Sequence, residues 1–273
     1  MEIGMQPANK TIVVTGAGSG IGRELTLQLL RKGANVAGVD INQNALSETQ
    51  QLAGVGDERF KGYVLDITDQ ARVENFPTEV ITHFGAVDGL INNAGIIQPF
   101  KPVNELTFDQ INRVMQVNFY GTVYLTKAFL PHFLQRPEAH IVNVSSMGGF
   151  IPFPGQTLYG AAKAAVKIFT EGLHAELADT AVRVTVVHPG AIATNITANS
   201  GLPGPKVDPN AASSKMALSA SKAADIIIRA MEKNKYRVTV GKDATLLDIL
   251  YRLSPKRASR FIGKMMKKTL SKM

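Results

Sequence analysis

The chain has 273 residues, of which 45% are hydrophobic and 19% charged, and it contains no cysteine. This composition indicates a globular protein with a sizeable core, and it excludes a disordered chain, disulfide bonds and thiolate chemistry. The net charge is +8, but it is concentrated at the C-terminus, which argues against a general nucleic-acid-binding surface.

Residues 252–273 hold the whole excess of positive charge. Eight basic residues and no acidic residue lie in this segment: Arg252, Lys256, Arg257, Arg260, Lys264, Lys267, Lys268 and Lys272. Removing these eight from the 30 basic residues of the chain leaves 22, which equals the number of acidic residues. The rest of the chain is formally neutral, and we expect no nucleic-acid partner.

The N-terminal residues 1–9 lack the apolar segment of a signal peptide, and we expect them to form a loose leader. The chain has no run of about 18 apolar residues, so no membrane-spanning helix is predicted. Together with the absence of cysteine, these features favour a cytoplasmic protein.

Short apolar runs alternate with longer helical patterns along the chain. The predicted strands cover residues 11–15, 35–39, 60–65, 87–91, 140–144, 183–187 and 237–240. The predicted helices cover residues 21–32, 73–84, 108–134 and 158–177, with two more beginning near residues 43 and 223. Strands separated by helices imply parallel crossovers, and apolar strands imply that helices cover both faces of the sheet.

The sequence therefore predicts a single α/β domain over residues 1–251, a doubly wound, Rossmann-like parallel sheet of about seven strands. A basic amphipathic extension follows at residues 252–273. Residues 196–214 lack periodicity and are rich in Ala, Asn, Ser, Gly and Pro. Because irregular segments of this length are often functional, we interpret residues 196–220 as a substrate lid.

A glycine-rich turn follows the first strand directly and leads into a helix. Its glycines Gly16, Gly20 and Gly22 have the spacing GxxxGxG rather than GxGxxG. Such a turn lets backbone amides and a helix N-terminus approach a pyrophosphate, so Ser19 and Ile21 are also candidate contacts. A tight strand-to-helix turn without a ligand is the alternative interpretation.

Asp40 at the end of the second strand indicates which dinucleotide the site prefers. A carboxylate there accepts hydrogen bonds from the adenosine ribose and repels a 2′-phosphate. The neighbouring Ile41 and the turn residue Ser19 are not basic, which favours NAD over NADP. Two alternatives stay open: Asp40 caps the following helix, or Arg23 supplies a cation for NADP.

Tyr159 and Lys163 lie four residues apart and share one face of a predicted helix. The reference pKa of tyrosine is near 10, too high for a base at neutral pH. A nearby ammonium and a cationic nicotinamide both favour the phenolate, which is the tuning that an acid–base residue needs. A solvated helix face is the alternative for this pair alone.

Five motifs occur in one order along residues 10–194. They are the glycine turn at residues 15–22, Asn92-Asn93-Ala94-Gly95, Ser146, Tyr159-xxx-Lys163 and Pro189-Gly190. In this combination the chain resembles the short-chain dehydrogenase/reductase family, in its compact single-domain branch. The resemblance implies an NAD-dependent enzyme that transfers a hydride between the cofactor and a secondary alcohol or ketone.

The resemblance also implies roles for particular residues. Tyr159 would be the acid–base residue, and Lys163 would lower its pKa and bind the nicotinamide ribose. Ser146 would hydrogen-bond the substrate oxygen, whereas Ser145 would be structural. Asn118 would anchor a water-linked proton relay to Lys163, with a helix-bending polar residue as the alternative.

Further cofactor contacts follow from the same resemblance. The residues implied beyond the glycine turn, Asp40 and Ile41 are Asp66, Ile67, Asn93, Ala94, Gly95, Pro189, Gly190, Ile192 and Thr194. For Asp66 a helix cap near Thr68 is the alternative. His188 is interpreted as a satisfied core residue, and no metal site is expected because no cluster has metal-ligand spacing.

Bulky apolar residues lie near the expected mouth of the substrate pocket. The predicted pocket residues are Phe100, Met147, Phe150, Phe153 and Leu202, with Ile97 and Pro99 nearby. They favour a bulky apolar substrate of the steroid, retinoid, fatty or terpenoid type. The alternative is that these residues only pack the lid.

The C-terminal extension is amphipathic. On a helical wheel one half holds Ala258, Phe261, Ile262, Met265, Met266 and Leu270, and the other holds Arg257, Arg260, Lys264, Lys267 and Lys268. Such segregation suits an interfacial helix on anionic lipid, which predicts peripheral membrane contact. Docking of the helix on its own body or on a sister subunit is the alternative.

Family members usually form homodimers or homotetramers through two long helices, here 108–134 and 158–177, and the resemblance implies the same assembly. Two other functions stay open from sequence. One is an NADPH-dependent ketone reductase, and the other is a nucleotide-binding scaffold without turnover. The complete set of Asn118, Ser146, Tyr159 and Lys163 argues against the scaffold.

Overall fold

The computed structural model describes residues 4–203 and 217–270. The strands in this part of the chain are β1 Thr11–Thr15, β2 Asn35–Asp40, β3 Phe60–Val64, β4 Gly89–Asn92, β5 Ala139–Val144, β6 Val182–Pro189, β7 Ile192–Ala193, β8 Leu218–Ser219 and β9 Arg237–Val240. The helices are α1 Gly20–Arg31, α2 Gln43–Ala53, α3 Gln70–Phe84, α4 Phe108–Met115, α5 Gly121–Phe133, α6 Thr157–Glu176, α7 Ile196–Asn199, α8 Ala220–Glu232, α9 Lys242–Leu253 and α10 Pro255–Leu270.

Seven strands form one sheet in the order β3-β2-β1-β4-β5-β6-β9, and every neighbouring pair is parallel. The predicted doubly wound, Rossmann-like sheet is therefore confirmed. The chain leaves β1 towards β2 and β3, and later returns to place β4 on the other side of β1. This change of direction opens a crevice at the carboxyl ends of β1 and β4, where such sheets bind ligands.

The sheet separates two layers of apolar core. Successive strand residues point to opposite faces, so Val13 packs in the layer that contains Phe76 and Phe129, whereas Val14 packs in the layer that contains Leu25 and Ile227. The first layer includes residues of α3 and α5, and the second includes residues of α1 and α8. This coverage explains why the strands are apolar throughout rather than alternating.

The predicted single helix 108–134 is interrupted. A π-helical turn at Gln116–Tyr120 joins α4 to α5. Within this turn the Asn118 side chain bonds both backbone groups of Ile96, at 2.9 Å from the amide nitrogen and 2.8 Å from the carbonyl oxygen. A π turn holds one more residue than an α turn, and such turns often occur at functional sites.

The prediction of a loose N-terminal leader is wrong for residues 4–9, while residues 1–3 lie outside the described part. Met5 is fully buried in the core. The Gly4 amide donates to the Glu232 carbonyl at 3.1 Å, and the Asn9 amide donates to the Gly33 carbonyl at 2.9 Å. Burial of the Met5 side chain ties this segment to the domain.

The C-terminal extension and the lid differ in part from their predicted boundaries. The helix α9 crosses the expected boundary at residue 252, and α10 then packs on α9, with Ala258 and Ile262 buried. Within the predicted lid 196–220, the chain forms α7, β8 and the start of α8, and β8 pairs with β7. Residues 204–216 of the lid lie outside the described part.

Candidate active site

The glycine turn after β1 forms one wall of a cavity of about 560 Å³ at the crevice. Gly16 and Gly20 have φ of +69° and +53°, which side chains rarely adopt. A β-carbon at Gly22 would overlap the Gly16 carbonyl oxygen. Ser19 precedes α1 in an extended conformation and its side chain does not cap the helix. The turn thus brings bare backbone and a helix N-terminus to the cavity, as an anionic phosphate requires.

Asp40 faces this cavity from the end of β2. Its two carboxylate oxygens accept from the Gly18 and Asn42 amides, each at 3.0 Å. The cap of α2 is Asn42, whose side chain accepts from the Ala45 amide at 3.1 Å. The alternative that Asp40 caps this helix is therefore wrong. The neighbouring Ile41 also lines the cavity.

Arg23, the sequence candidate for a second phosphate contact, is engaged elsewhere. Its guanidinium pairs with Glu48 at 2.6 Å and donates to the Thr49 hydroxyl at 3.1 Å and to the Gly18 carbonyl. A hydrogen bond from Arg23 holds the pKa of Glu48 below its usual value. The guanidinium thus binds α2 and the outside of the glycine turn.

Asp66 and Ile67 line the cavity beyond the end of β3. One carboxylate oxygen of Asp66 accepts from both the amide and the hydroxyl of Thr68, at 2.9 and 2.7 Å. Asp69, not Asp66, caps α3 by accepting from the Arg72 amide at 3.1 Å. Asp66 therefore shapes the turn ahead of the helix and leaves Ile67 at the cavity wall.

The segment after β4 is held tightly against β1. The Thr15 hydroxyl accepts from the Asn93 and Ala94 amides, each at 2.9 Å. The Asn93 side chain donates to the Thr15 carbonyl, also at 2.9 Å. Residues Asn93, Ala94 and Gly95 then line the cavity. These bonds join the two strands at the point where the sheet changes direction.

Gly95 lies where the cavity meets the buried polar side chains. A β-carbon built there would be 2.8 Å from the Asn118 side-chain oxygen and 3.2 Å from Lys163 Nζ. Only a glycine permits this approach. The structure therefore brings together Gly95, Asn118 and Lys163, which lie in three separate parts of the sequence.

Lys163 is buried, and its ammonium donates to the Val144 carbonyl at 2.9 Å. Burial lowers the pKa of Lys163 to about 8, because a charged group loses hydration there. The Ser145 hydroxyl donates to the Lys163 carbonyl at 2.7 Å. Ser145 thus fastens α6 to the end of β5, in agreement with the structural role expected for it.

Tyr159, one turn ahead of Lys163 on α6, contacts Ser146. Burial raises the pKa of Tyr159, and a hydrogen bond with Ser146 opposes this with a smaller lowering effect. Sequence reasoning predicted that Lys163 would lower the pKa of Tyr159, but burial has the largest influence and acts in the opposite direction. The Ser146 hydroxyl also accepts from the Gly148 amide at 3.0 Å, which orients it.

Sequence reasoning missed Gln98, a buried residue that caps α6 from a distant loop. Its side-chain oxygen accepts from the Leu158 amide at 2.7 Å and the Tyr159 amide at 3.0 Å. Its side-chain nitrogen donates to the Gly155 carbonyl at 3.0 Å. The available signal was indirect: α6 begins after Gln156, a residue type that rarely caps helices, so its first amides needed another acceptor.

The segment after β6 only partly joins the cavity. Thr194 lines it, and its methyl group would be 3.3 Å from a β-carbon at Gly20. The predicted contacts Pro189, Gly190 and Ile192 are not among the residues that line it. The Gly190 amide instead donates to the Val240 carbonyl at 2.8 Å, which secures this segment to β9.

His188 in β6 is buried, as a core residue should be. One ring nitrogen lies 3.2 Å from the Ser146 carbonyl. The other has no hydrogen-bond partner in the described structure, so the expectation that His188 is fully satisfied is wrong. Burial lowers its pKa to about 4, which keeps the ring neutral at physiological pH.

The five predicted substrate-pocket residues do not share one pocket. Phe150 and Phe153 line a separate cavity of about 850 Å³ beside Arg237 and Tyr251. The Phe150 ring centroid lies 5.2 Å from the His188 ring and 5.4 Å from the Arg237 guanidinium carbon. The Phe150 ring thus faces β6 and β9 rather than the crevice, and a substrate-binding role for Phe150 and Phe153 stays a prediction.

The other three predicted pocket residues are more exposed. Met147 begins the short helical turn Met147–Gly149 directly after Ser146 and is half-buried. Phe100 is exposed, and Leu202, one residue before the end of the first described segment, is half-buried. None of the three lines the crevice cavity, so a substrate pocket built from them stays a prediction.

The described residues contain neither a metal-binding cluster nor a helix that could span a membrane. No group of three or more His, Cys, Asp or Glu side chains there is arranged to hold a metal ion. No helix among these residues is both long and apolar enough to cross a bilayer.

Comparison with known proteins agrees with this geometry. The sequence model of the family described as short chain dehydrogenase matches residues 10–202. The chain is 39% identical over 260 residues to the oxidoreductase SadH of Mycobacterium tuberculosis, covering 93% of this chain and 94% of SadH.

Solved structures extend the comparison. A short chain dehydrogenase/reductase from Burkholderia phymatum in complex with NAD has a TM-score of 0.82 and 25% identity, and the match covers 93% of this chain and 96% of that one. A short chain dehydrogenase from Burkholderia cenocepacia in complex with NADP has a TM-score of 0.78 and 29% identity, and covers 94% and 99%. The chain therefore belongs to the short-chain dehydrogenase/reductase family of oxidoreductases.

Proposed function

We propose that this chain is an NAD(H)-dependent oxidoreductase that transfers a hydride between the cofactor and a secondary alcohol or ketone. The observation that carries the proposal is the contact between Tyr159 and Ser146, with Lys163 buried alongside Gly95 at the cavity wall. An ionisable phenol, a hydroxyl donor and an ammonium are the groups that reversible proton transfer at an alcohol oxygen needs.

The residues at the crevice fit a dinucleotide. The glycine turn offers backbone amides to the pyrophosphate, and Ile67, Ala94 and Thr194 surround the rest of the cavity. We infer a preference for NAD because the Asp40 carboxylate lines this cavity at the end of β2, where it would accept hydrogen bonds from an adenosine ribose and repel a 2′-phosphate. The pairing of Arg23 with Glu48 supports this preference, since it withdraws the nearest sequence candidate for a phosphate-binding cation.

In the oxidation direction, the Tyr159 phenolate accepts the hydroxyl proton of the substrate, while Ser146 donates a hydrogen bond to the same oxygen. A nicotinamide held in the crevice would supply the hydride acceptor for oxidation of the carbinol carbon and the hydride donor for reduction. Lys163 holds positive charge that favours the phenolate, and its pKa of about 8 leaves it mostly protonated at neutral pH. Asn118 positions Ile96 and the cavity wall next to Lys163.

We further propose that the substrate is bulky and apolar, of the steroid, retinoid, fatty or terpenoid type. Support comes from Met147, which adjoins Ser146, and from Ile97, whose amide donates to the Ser200 hydroxyl of the lid segment at 2.9 Å. This bond holds the apolar residues after Gly95 next to the first part of the lid. Phe150 and Phe153 line the separate cavity beside Arg237, and the proposal does not rest on them.

A homodimer or homotetramer, located in the cytoplasm, is the assembly we propose. The helices α4 and α6 expose large apolar side chains, with Phe108 83% and Ile168 62% exposed. A monomer in water gains nothing from such exposure, whereas packing of these helices against a second copy would bury it.

The test measures NADH formation over a series of secondary alcohols of increasing size, and repeats it with NADP. We expect turnover with NAD that increases towards large apolar alcohols and is lost in Tyr159→Phe. The matched control is Tyr236→Phe. It also removes a phenol hydroxyl, but Tyr236 does not line the crevice cavity, so this variant should keep full activity. Preference for small polyols would overturn the substrate proposal, and equal rates for Tyr159→Phe and wild type would overturn the mechanism.

A NADP preference in the same assay would favour the reductase alternative. Absence of turnover with both cofactors, despite nucleotide binding, would favour a scaffold.

A further inference from the structure

The outward face of α9 carries a stripe of apolar side chains. The exposed fractions are 58% for Leu246, 52% for Ile249, 38% for Leu250 and 77% for Leu253. Residues spaced by three and four positions lie on the same face of a helix, so these four form one continuous stripe. We call it the α9 stripe.

The other side of α9 holds the helix on the domain. Ala244 is fully buried, and Asp248 pairs with Arg237 of β9 at 2.7 Å. Asp243 accepts from the Ala191 amide at 2.7 Å. These contacts fix the orientation of the helix, so the α9 stripe cannot turn inward without breaking them.

The helix α10 repeats this arrangement on a smaller scale. Ala258 and Ile262 are buried, whereas Phe261 between them is 53% exposed. The wheel prediction placed all three residues on one apolar half, but the structure divides them between the domain and solvent. An exposed aromatic ring thus lies on α10, which packs directly against α9.

The neighbouring helix α10 carries exposed cations. Lys256, Arg257, Arg260 and Lys264 are exposed on α10, and the sequence contains no acidic residue after Asp248. In α9 itself both acidic groups are occupied, Asp248 by Arg237 and Arg252, and Asp243 by a backbone amide. The surface therefore combines exposed apolar side chains with positive charge that has no acidic partner on the same helix.

We propose that α9 and α10 form a peripheral binding surface for a bilayer with anionic headgroups. The α9 stripe and Phe261 enter the interfacial region, and the cations of α10 lie at the level of the lipid phosphates. A lipid surface matches both features, since it offers apolar depth and negative charge together. The inference is independent of the proposed reaction.

A second copy of the chain fits this surface less well. A two-fold dimer places the same patch on both sides of its interface. The cations of both copies would then be brought into one interface, and residues 252–273 contain no acidic residue to neutralise them. Like charges brought together in this way disfavour association.

The test is co-sedimentation of the full-length protein with vesicles of phosphatidylcholine alone or mixed with phosphatidylglycerol. We expect binding to the mixed vesicles, little binding to phosphatidylcholine, and loss of binding at high salt. Leu253→Glu should abolish binding. Leu52→Glu is the matched control, because Leu52 on α2 is 57% exposed but has no basic segment nearby, and it should bind like wild type.

A second pair of variants tests the charges. Arg257→Glu combined with Arg260→Glu should weaken binding at least about 30-fold, since each cation near an anionic surface contributes about 1 kcal/mol. The same change of net charge made on other exposed residues, Arg31→Glu combined with Lys233→Glu, should have a much smaller effect.

Three results would overturn the proposal. One is wild-type protein that stays in solution with anionic vesicles, and another is equal sedimentation of Leu253→Glu and Leu52→Glu. The third is a smaller particle mass for Leu253→Glu in light scattering without lipid, which would assign the α9 stripe to contact between copies. Because none of these measurements uses turnover, they are independent of the enzymatic proposal.

Discussion

The start of α6 and the outer face of α9 differ in an instructive way: the first buries polar side chains, and the second exposes apolar ones. At α6 the polar side chains of Gln98, Asn118 and Lys163 are almost completely buried, whereas at α9 Leu246 and Leu253 are largely exposed. Folding alone favours the reverse arrangement, with polar groups in water and apolar groups in the core. The comparison indicates that each region is shaped by something the chain binds.

The two regions also differ in how the buried polar groups of one and the exposed apolar groups of the other affect stability. The buried side chains of Gln98, Asn118 and Lys163 have partners, since Gln98 bonds two amides, Asn118 bonds both backbone groups of Ile96, and Lys163 donates to the Val144 carbonyl. A buried polar group with its hydrogen bonds intact costs little, and without them it costs about 1–3 kcal/mol. At α9 Leu246 and Leu253 lie mostly in solvent, so substitutions of these two residues should affect binding more than folding.

The largest effect that we expect is at Lys163. Lys163→Met should lower kcat by about 100-fold or more, because the positive charge that favours the Tyr159 phenolate is removed. Lys167→Met, one turn along α6 and paired with Glu171, is the matched control and should keep its activity. Comparable rates for the two variants would contradict the role proposed for Lys163.

The same variant should also differ from wild type in how its free energy of unfolding depends on pH. Burial lowers the pKa of Lys163 from 10.5 to about 8, so between these values the unfolded chain binds more protons than the folded one. The free energy of unfolding of wild type, relative to Lys163→Met, should therefore rise as the pH increases from 8 towards 10.5. Urea unfolding at several pH values measures this, and a difference that does not change with pH would contradict it.

A smaller effect is expected at Gln98. Gln98→Leu leaves the amides of Leu158 and Tyr159 without their acceptor, and should lower stability by about 1–3 kcal/mol. We expect kcat to fall more than KM changes, because the displaced group is Tyr159 rather than a substrate contact.

Gln98→Glu is the conservative control for this position. Its carboxylate still accepts from both amides, and negative charge at a helix N-terminus is favourable, so kcat should stay close to wild type. Equal loss of activity in the two variants would show that the bond from Gln98 to Gly155, rather than the cap, matters.

At Asp40 we expect a change in cofactor preference rather than a loss of activity. Asp40→Ser removes the carboxylate opposite a 2′-phosphate and should raise kcat/KM with NADP, relative to NAD, about tenfold, equivalent to about 1.4 kcal/mol. Asp66→Ser, at the same cavity, should weaken the binding of NAD and NADP alike and leave the ratio of their kcat/KM values unchanged. An unchanged ratio in Asp40→Ser would contradict the proposed basis of NAD preference.

The smallest effect is expected at the α9 stripe. Leu253→Ser should change the free energy of unfolding by less than about 0.5 kcal/mol, since the side chain is already exposed. Ile262→Ala, at a buried position on the neighbouring helix, should instead cost about 2–5 kcal/mol. Chemical denaturation compares the two, and similar losses would mean that the α9 stripe is buried in solution.

The sequence by itself determined the order of strands and helices, the parallel doubly wound class and the positions of the motifs around the crevice. These features depend on local patterns: apolar runs, helical spacing, glycines at a turn and the four-residue separation of Tyr159 and Lys163. It also located the positive charge of residues 252–273, which is a property of composition.

Only the tertiary structure decided how distant segments meet. The Gln98 cap on α6, the π turn at Asn118 and the burial of Met5 arise from contacts between residues far apart in the chain, and no local pattern encodes them. The rings of Phe150 and Phe153 face a different cavity because the chain turns after Ser146. The apolar spacing of α9 would be the same for a helix facing the core, and only the anchoring of its opposite side through Ala244 and Asp248 turns the α9 stripe outward.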